Sequence, residues 1–180
     1  MKYTINFFPG FCLLILLGLQ SCSQKPDSAN ENTTIKTHEA KADVGPIDKD
    51  ILFKLITNSE QSFTLVNFYA TWCKPCKVEL PELVDIQKDN NSDIQVILVS
   101  LDNQQAVDNK LAGFLQSYEI GFRSYVKTQG GNEFIRSLYP SWRGTIPLNL
   151  IFDDQGNLIE AMGLTDRGEV EMIVARHQTI

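Results

Sequence analysis

The chain has 180 residues, of which 43% are hydrophobic and 21% charged, and its formal net charge is −6. This length and composition predict a single packed domain. The acidic balance excludes nucleic acid as an expected partner, because phosphate binding needs a basic face and the lysine-dense stretch at residues 74–77 is too short to form one.

An apolar run at residues 7–19 lies near the start of the chain. It is too short to cross a bilayer comfortably and is typical of a secretory signal peptide. The run ends in Leu19-Gln20-Ser21-Cys22, which resembles the lipobox of bacterial lipoproteins, in which the signal is removed before the cysteine and that cysteine carries the lipid. We therefore predict a lipoprotein signal peptide at 1–21 and lipidation of Cys22. An ordinary secretory signal and an uncleaved anchor are the alternatives.

The next segment is polar and has few large apolar side chains, so it cannot bury enough surface to fold. We predict that the lipidated cysteine and a flexible linker occupy residues 22–46 and that a folded domain occupies 47–180. A linker of this length has a root-mean-square reach of about 25–30 Å, which would hold the domain clear of the lipid headgroups.

Helix-like and strand-like patterns alternate through the predicted domain. In chain order we expect a helix around 51–56, a strand at 63–69, a helix at 73–88 that Pro81 kinks or restarts, a strand at 94–101, a helix at 104–118, a short strand at 122–126, a short helix at 133–139, a hairpin of strands 148–152 and 158–162, and a closing helix at 167–177. This alternation predicts an α/β fold with a mixed central β-sheet flanked by helices.

Two of the four cysteines fall in this domain, in the run Asn67-Phe68-Tyr69-Ala70-Thr71-Trp72-Cys73-Lys74-Pro75-Cys76. The pair is either reactive or an isolated structural staple. Cys73 follows an apolar strand and opens a helix, where free amides and the helix dipole stabilise a thiolate. In such a setting the pKa of a CxxC cysteine can fall from about 8.5 to roughly 3.5–7.5. We predict that Cys73 is the exposed nucleophile and Cys76 the resolving thiol of a redox-active Cys73–Cys76 disulfide.

The same run closely resembles the thioredoxin superfamily and, within it, the TlpA/ResA-like envelope reductases. The resemblance covers residues 47–180 and implies a thioredoxin-like fold with the CxxC at the start of the first long helix after a central strand. Gly144-Thr145-Ile146-Pro147 resembles the cis-proline loop of the family, which faces the CxxC and binds substrate through its backbone. A plain proline at a strand entry is the alternative for Pro147. The resemblance thus implies that Trp72, Pro75, Ile146 and Pro147 contact or support the substrate.

Two polar residues near the cysteines bear on proton transfer. Thioredoxin has a buried aspartate six positions before the first cysteine, whereas this chain has Asn67, which cannot titrate; TlpA/ResA-like members often have asparagine there. Glu79 matches a glutamate found near the cysteines in the ResA-like branch, which implies proton transfer or tuning of the thiol pKa. A solvated carboxylate on the helix surface, favoured by the helix dipole, is an equal alternative for Glu79.

No metal and no other cofactor are expected. A zinc site would need two further ligands, and the predicted domain offers no other cysteine and only His177 as a histidine. A copper-carrying variant of the fold would be expected to have a wider cysteine spacing and a partner histidine.

The sequence therefore predicts an enzyme, a membrane-tethered thiol–disulfide oxidoreductase that reduces disulfides of envelope client proteins. The resemblance implies clients such as apocytochrome c, recharging by a membrane electron-donor protein, and a domain in the periplasm of a bacterial cell envelope. The alternatives are a disulfide-forming oxidase of the same chemistry and a non-catalytic tethered binding module. A peroxidase is disfavoured, because the Pro-x-x-x-Thr-x-x-Cys pattern is missing upstream of Cys73.

Overall fold

The computed structural model describes residues 43–128 and 130–178. The strands are β1 (Val44–Ile47), β2 (Phe63–Tyr69), β3 (Ile94–Ser100), β4 (Ser124–Lys127), β5 (Leu148–Asp153) and β6 (Leu158–Met162). The helices are α1 (Lys49–Thr57), α2 (Lys74–Lys88), α3 (Gln104–Ala106), α4 (Ala112–Ser117), α5 (Gly131–Leu138) and α6 (Arg167–Gln178), with a π-helical turn (Val107–Leu111) between α3 and α4. The predicted signal peptide, Cys22 and most of the predicted linker lie outside the described residues.

The strands form one six-stranded sheet in the order β1-β4-β3-β2-β5-β6. The first four strands of this order run parallel to one another, and β5 pairs antiparallel with both β2 and β6, so the sheet is mixed as predicted. All seven residues of β2 are buried. A strand that lies between β3 and β5 and has helices on both faces has to be apolar on both sides, which explains its largely hydrophobic run.

The sheet separates two hydrophobic layers. One layer contains Leu80 and Leu83 of α2 together with Val170 of α6. The other contains Leu52 of α1 and Phe134 of α5. Cys73 and Cys76 belong to the first layer, so α2 and α6 are the helices that pack around them.

Helix α2 runs through Pro81 without ending or restarting there. The expected restart at this residue is therefore wrong, while a kink at Pro81 stays a prediction. Pro81 is exposed, so the carbonyl group that loses its usual N–H partner lies on the solvent side of the helix, where water can replace the missing hydrogen bond. The buried face of α2 remains continuous from Cys76 to Ile86.

The fold begins earlier than predicted. Residues 44–46 were expected to end the linker, but they form most of β1, which pairs in parallel with β4. A four-residue strand that contains a proline carries little strand signal in the sequence. Pro46 is accommodated because β1 lies at the edge of the sheet, where a missing N–H costs less than in a central strand.

The segment predicted as one helix at 104–118 is divided by the π-helical turn. A π-turn accommodates one extra residue within a helix and changes the direction of the side chains that follow it. In this segment Leu111 and Leu115 are both buried, while Asn109 and Lys110 are exposed. The spacing of the apolar residues in the sequence is close to that of a regular helix, so it gave no sign of the extra residue in the π-helical turn.

Candidate active site

Cys73 and Cys76 lie where β2 leads into α2. Cys73 is the N-cap residue of α2, and its sulfur accepts a hydrogen bond from the backbone N–H of Cys76 at 3.2 Å. The two cysteines form a disulfide bond, with their Cα atoms 5.4 Å apart. Negative charge is favoured at the N-terminus of a helix, so the geometry suits a thiolate at Cys73 once the disulfide is reduced.

Both cysteines are largely buried in this disulfide form. The exposed fraction is 4% for Cys73 and 1% for Cys76. The expectation of an exposed Cys73 is therefore wrong for the oxidised protein, because Cys73 packs into the hydrophobic layer beneath α2 and faces the loop before β5. Trp72, which is 68% exposed, Lys74 and Pro75 are the residues around the cysteines that face solvent.

The loop that contains Ile146 and Pro147 faces the disulfide, as the resemblance implied. The Ile146–Pro147 peptide bond is cis, and Pro147 is buried while Ile146 is half-buried. The Ile146 carbonyl oxygen lies 3.8 Å from Cys73 Sγ. A disulfide sulfur has no S–H and cannot donate to this oxygen, whereas a Cys73 thiol could. The loop thus places a backbone carbonyl group beside the reactive sulfur.

A groove of about 450 Å³ opens beside Trp72 and Ile146. Trp142 forms part of its wall, and the Trp142 Nε1–H donates to the Thr145 carbonyl oxygen at 2.7 Å. Gly144, with φ of 98°, adopts a backbone conformation that favours glycine. The groove therefore has an aromatic wall that is hydrogen-bonded to the loop facing the disulfide.

Glu79 is buried, with 1% of its surface exposed. Its Oε1 accepts hydrogen bonds from Asn67 Nδ2 at 2.5 Å and from Asn149 Nδ2 at 2.9 Å, and its Oε2 accepts one from the Thr165 backbone N–H at 3.1 Å. The interpretation of Glu79 as a solvated surface carboxylate is therefore wrong. The sequence held a signal for this burial, because Glu79 is three residues after Cys76 and shares its helix face.

Burial raises the pKa of Glu79 from 4.5 to about 7, although its hydrogen bonds from Asn149, Thr165 and Asn67 favour the ionised form. The carboxyl group can therefore gain or lose a proton near neutral pH. Glu79 and Cys76 are one helical turn apart, and both lie on the buried face of α2.

Asn67 and Asn149 lie directly opposite each other in the antiparallel pair of β2 and β5. Asn67 Nδ2 donates to Asn149 Oδ1 at 2.9 Å, and Asn149 Nδ2 donates to the Gly163 carbonyl oxygen at 2.8 Å. Asn67 Oδ1 has no hydrogen-bond partner within the described ranges. Sequence reasoning missed Asn149 and Thr165. The available signal for Asn149 was a polar residue inside the otherwise apolar start of β5, whereas Thr165 lies in the loop before α6.

Asp102 fixes the loop that leads into the cysteines. Its carboxylate accepts hydrogen bonds from the Thr71 backbone N–H at 2.9 Å, from Thr71 Oγ1 at 2.8 Å and from Ser100 Oγ at 2.8 Å. Asp102 is 1% exposed, so these donors compensate for the loss of solvation. Sequence analysis did not identify this residue, because its partner is 31 positions away in the chain.

Within residues 43–128 and 130–178, no three His, Cys, Asp or Glu side chains come together in a way that could hold a metal ion. Across the same residues, no helix is both long and apolar enough to span a membrane.

Comparisons with known proteins agree with this geometry. The model of the AhpC/TSA family matches residues 48–180. The chain is similar to the thioredoxin-like protein YneN of Bacillus subtilis (strain 168), at 27% identity over 92 residues that make up 51% of each protein. It is also similar to the thiol-disulfide oxidoreductase ResA of Bacillus thuringiensis subsp. konkukian, at 29% identity over 98 residues, which are 53% of this chain and 51% of that protein. The chain therefore spans about half the length of these curated relatives.

A solved structure supports the fold. The thioredoxin-related protein from Neisseria meningitidis serogroup B superposes with a TM-score of 0.56 at 17% identity, and the match covers 68% of this chain and 90% of that one. At this level of identity the likeness establishes the fold alone. The thioredoxin-like fold predicted from the sequence is confirmed.

Proposed function

This chain belongs to the AhpC/TSA family, and on that premise we propose that it is a thiol–disulfide oxidoreductase that reduces disulfide bonds of other proteins. The observation that carries the proposal is the Cys73–Cys76 disulfide at the start of α2, with the Ile146 carbonyl oxygen 3.8 Å from Cys73 Sγ. The names of the two relatives, a thioredoxin-like protein and a thiol-disulfide oxidoreductase, support the same chemistry.

The reaction starts from the dithiol form. The Cys73 thiolate attacks one sulfur of a client disulfide, that bond breaks, and the client's other sulfur leaves as a thiolate and takes up a proton. The Cys76 thiolate then attacks Cys73 Sγ in the mixed disulfide and releases the second client sulfur. The client gains two electrons and two protons, and the protein ends with the Cys73–Cys76 disulfide that the structure contains.

Glu79 is suited to take the proton of Cys76 during the second step. A thiol has to lose its proton before it can attack, and Cys76 is too deeply buried to give that proton readily to water. An ionised Glu79 lies one helical turn away, and its pKa of about 7 lets it accept a proton and release it again at neutral pH.

We assign client binding to the surface around the Ile146 carbonyl group. An extended client segment can pair with this backbone by strand addition. Pro147 supports the loop and has no N–H of its own, while the exposed Trp72 and Pro75 provide contact surface beside the disulfide. The groove between Trp72 and Trp142 can receive an apolar client side chain.

The test is reduction of insulin by the purified full chain in detergent, with dithiothreitol as the electron source. We expect Cys73→Ser to abolish the catalysed reduction and Cys22→Ser, a matched cysteine substitution outside the domain, to leave the rate unchanged. A reduction potential near −270 mV would support a reductase. No catalysis above the background of dithiothreitol, or a potential near −120 mV, would contradict the proposal and favour a binding module or an oxidase respectively.

We propose further that the protein acts in a bacterial cell envelope, tethered to a membrane through lipid on Cys22, with its domain in the periplasm. Leu19-Gln20-Ser21-Cys22 at the end of a short apolar run supports this. Envelope proteins that contain disulfides, with apocytochrome c among the candidates, would be its clients. A membrane electron-donor protein would return it to the dithiol form.

Lipidation is expected to be visible by mass spectrometry of the protein from the membrane fraction. The mature N-terminus should be an acylated Cys22, and Cys22→Ser should move the protein into the soluble fraction or leave the signal uncleaved. An unmodified protein whose N-terminus lies elsewhere would contradict the tether without affecting the chemistry of Cys73.

A further inference from the structure

A second groove borders Trp72 on the surface formed by α3, the π-helical turn and α4. Its volume is about 770 Å³, and Trp72 lines both this groove and the one next to Ile146. We name it the α3–α4 groove. Lys77 and Phe114 contribute to its lining, and Asn109 and Lys110 come from the π-helical turn. The α3–α4 groove therefore adjoins the reactive disulfide through the residue that precedes Cys73.

The charged side chains that line this groove are both lysines. Lys77 Nζ lies 5.9 Å from the centre of the Phe114 ring, and that ring stacks on the buried Tyr69. Neither Lys77 nor Lys110 forms an ion pair with an acidic side chain in the described part of the chain. A groove with two unpaired cations contrasts with a chain whose net charge is −6.

The nearest acidic residue of this segment does not offset that charge at the lining surface. Asp108 lies in the π-helical turn but does not line the groove, and its Oδ1 accepts a hydrogen bond from Gln104 Nε2 at 2.8 Å. Asp102 is buried and is occupied by Thr71 and Ser100. Neither carboxylate lies on the lining surface, where the charged groups are Lys77 and Lys110.

The π-helical turn is a second, independent observation. Such turns are rare and occur frequently at functional sites. Here the turn places Asn109 and Lys110 in the wall of the groove while Leu111 keeps its place in the hydrophobic layer. The chain thus departs from regular helix at the point where it supplies polar and cationic lining to a surface beside the disulfide.

We propose that the α3–α4 groove binds an acidic stretch of the client polypeptide, next to the disulfide that Cys73 attacks. This inference rests on the proposed function and names the class of client. The two lysines attract carboxylates, the side-chain amides of the groove can bond to peptide backbone, and the exposed Trp72 provides stacking surface. Opposite charges of this kind raise the rate of association more than the affinity, because they steer the encounter.

The experiment compares disulfide-linked peptides that differ only at two residues beside the cysteine. These two residues are Glu, Gln or Lys. One peptide series varies the residues before the cysteine, and a second series varies the residues after it. The second-order rate of reduction by the dithiol form of the full chain in detergent is measured at about 20 mM and about 1 M NaCl. We expect the Glu peptide of one flank to react about threefold to tenfold faster than its Gln counterpart at low salt. The advantage should fall below about twofold at the higher salt concentration, where the Debye length is about 3 Å.

Because the protein is negatively charged, the direction of the difference between the Glu and Gln peptides decides the test. Without the groove, a chain of charge −6 would repel the Glu peptide, which would then react more slowly than the Gln peptide. Lys110→Gln should remove at least half of the Glu advantage. Lys54→Gln is the matched control, because Lys54 is an exposed lysine of α1, which packs on the opposite face of the sheet from α2.

Two results would contradict the proposed client site. A Glu peptide that reacts no faster than the Gln peptide on either flank, or equal losses in Lys110→Gln and Lys54→Gln, would overturn the groove as a client site. Reduction of the uncharged 2-hydroxyethyl disulfide separates this failure from failure of the proposed function. If that small disulfide is also not reduced, the thiol chemistry itself is absent.

Discussion

Replacing Cys76 with alanine is expected to leave Cys73 in long-lived mixed disulfides with client proteins. Cys76 is the more buried of the two cysteines, and its thiol is placed to resolve a bond formed at Cys73. The substitution keeps the backbone N–H of residue 76, which donates to the Cys73 sulfur at 3.2 Å. Cys73 should therefore remain reactive while its release step is lost.

Non-reducing electrophoresis followed by mass spectrometry of the cross-linked peptides measures this effect. We expect the trapped fraction to increase by at least about tenfold over the parent protein, because thiol–disulfide exchange cannot be completed without an attacking thiol. The matched control is Cys73→Ala, which should trap little or nothing. Abundant complexes through Cys76 in that control, with none through Cys73 in Cys76→Ala, would reverse the two roles.

Glu79→Gln is expected to remove a large part of the pH dependence of stability between about pH 5 and pH 8. In the unfolded chain the carboxyl group ionises near pH 4.5, and in the folded protein its pKa is about 7 because it is buried. Between these values the folded state binds a proton that the unfolded state has lost. The contribution of Glu79 to stability is therefore fully present below pH 4.5 and is lost as the pH rises through 7, by up to about 3 kcal/mol.

Urea unfolding of the oxidised protein at the two pH values tests this, since cysteines in a disulfide do not titrate. The carboxyl groups of Asp89, Asp93 and Asp153 have lowered pKa values, so their contributions change below this pH window. The difference in unfolding free energy between the two pH values should shrink in Glu79→Gln but not in Glu82→Gln, a matched change one turn further along α2. Equal pH dependence in the parent and in Glu79→Gln would contradict the assignment.

The same variant has a second readout in the reduced protein. An ionised carboxylate beside the thiols opposes thiolate formation, so Glu79→Gln should lower the pKa of the Cys73 thiol relative to the parent. Ultraviolet absorbance follows the thiolate directly. A curve identical to that of the parent would leave Glu79 without a role in exchange, even if its effect on stability is found.

Much of the fold could be predicted because the hydrophobic pattern determines it. The predicted bounds of β2 and β6 agree with the structure at both ends, and those of α6 within one residue. The strand β1 and the π-helical turn could not be predicted from that pattern. A four-residue edge strand has too few buried positions to show a period, and one inserted residue does not visibly disturb the spacing of a helix.

The site also has a part that could be predicted from the sequence and a part that could not. Cys73 and Cys76 follow from local sequence, since a CxxC at a strand-to-helix junction is typical of a redox-active pair. The surroundings of Glu79 do not, because Asn149 and Thr165 reach it from β5 and from the loop before α6. Such partners depend on strand register and helix packing, which a single sequence leaves undetermined. The hydrophobic face of α2 did contain the information that Glu79 is buried, through its spacing from Cys76.

The edge strand β1 also limits where a client segment can pair with this sheet. An open edge strand has unpaired backbone N–H and C=O groups, and any extended chain can form hydrogen bonds with them. Here the edge is only four residues long, Pro46 has no N–H to offer, and the Arg123 guanidinium occupies the space where a side chain at Gly45 would begin. Non-productive pairing and self-association at this edge are thereby discouraged.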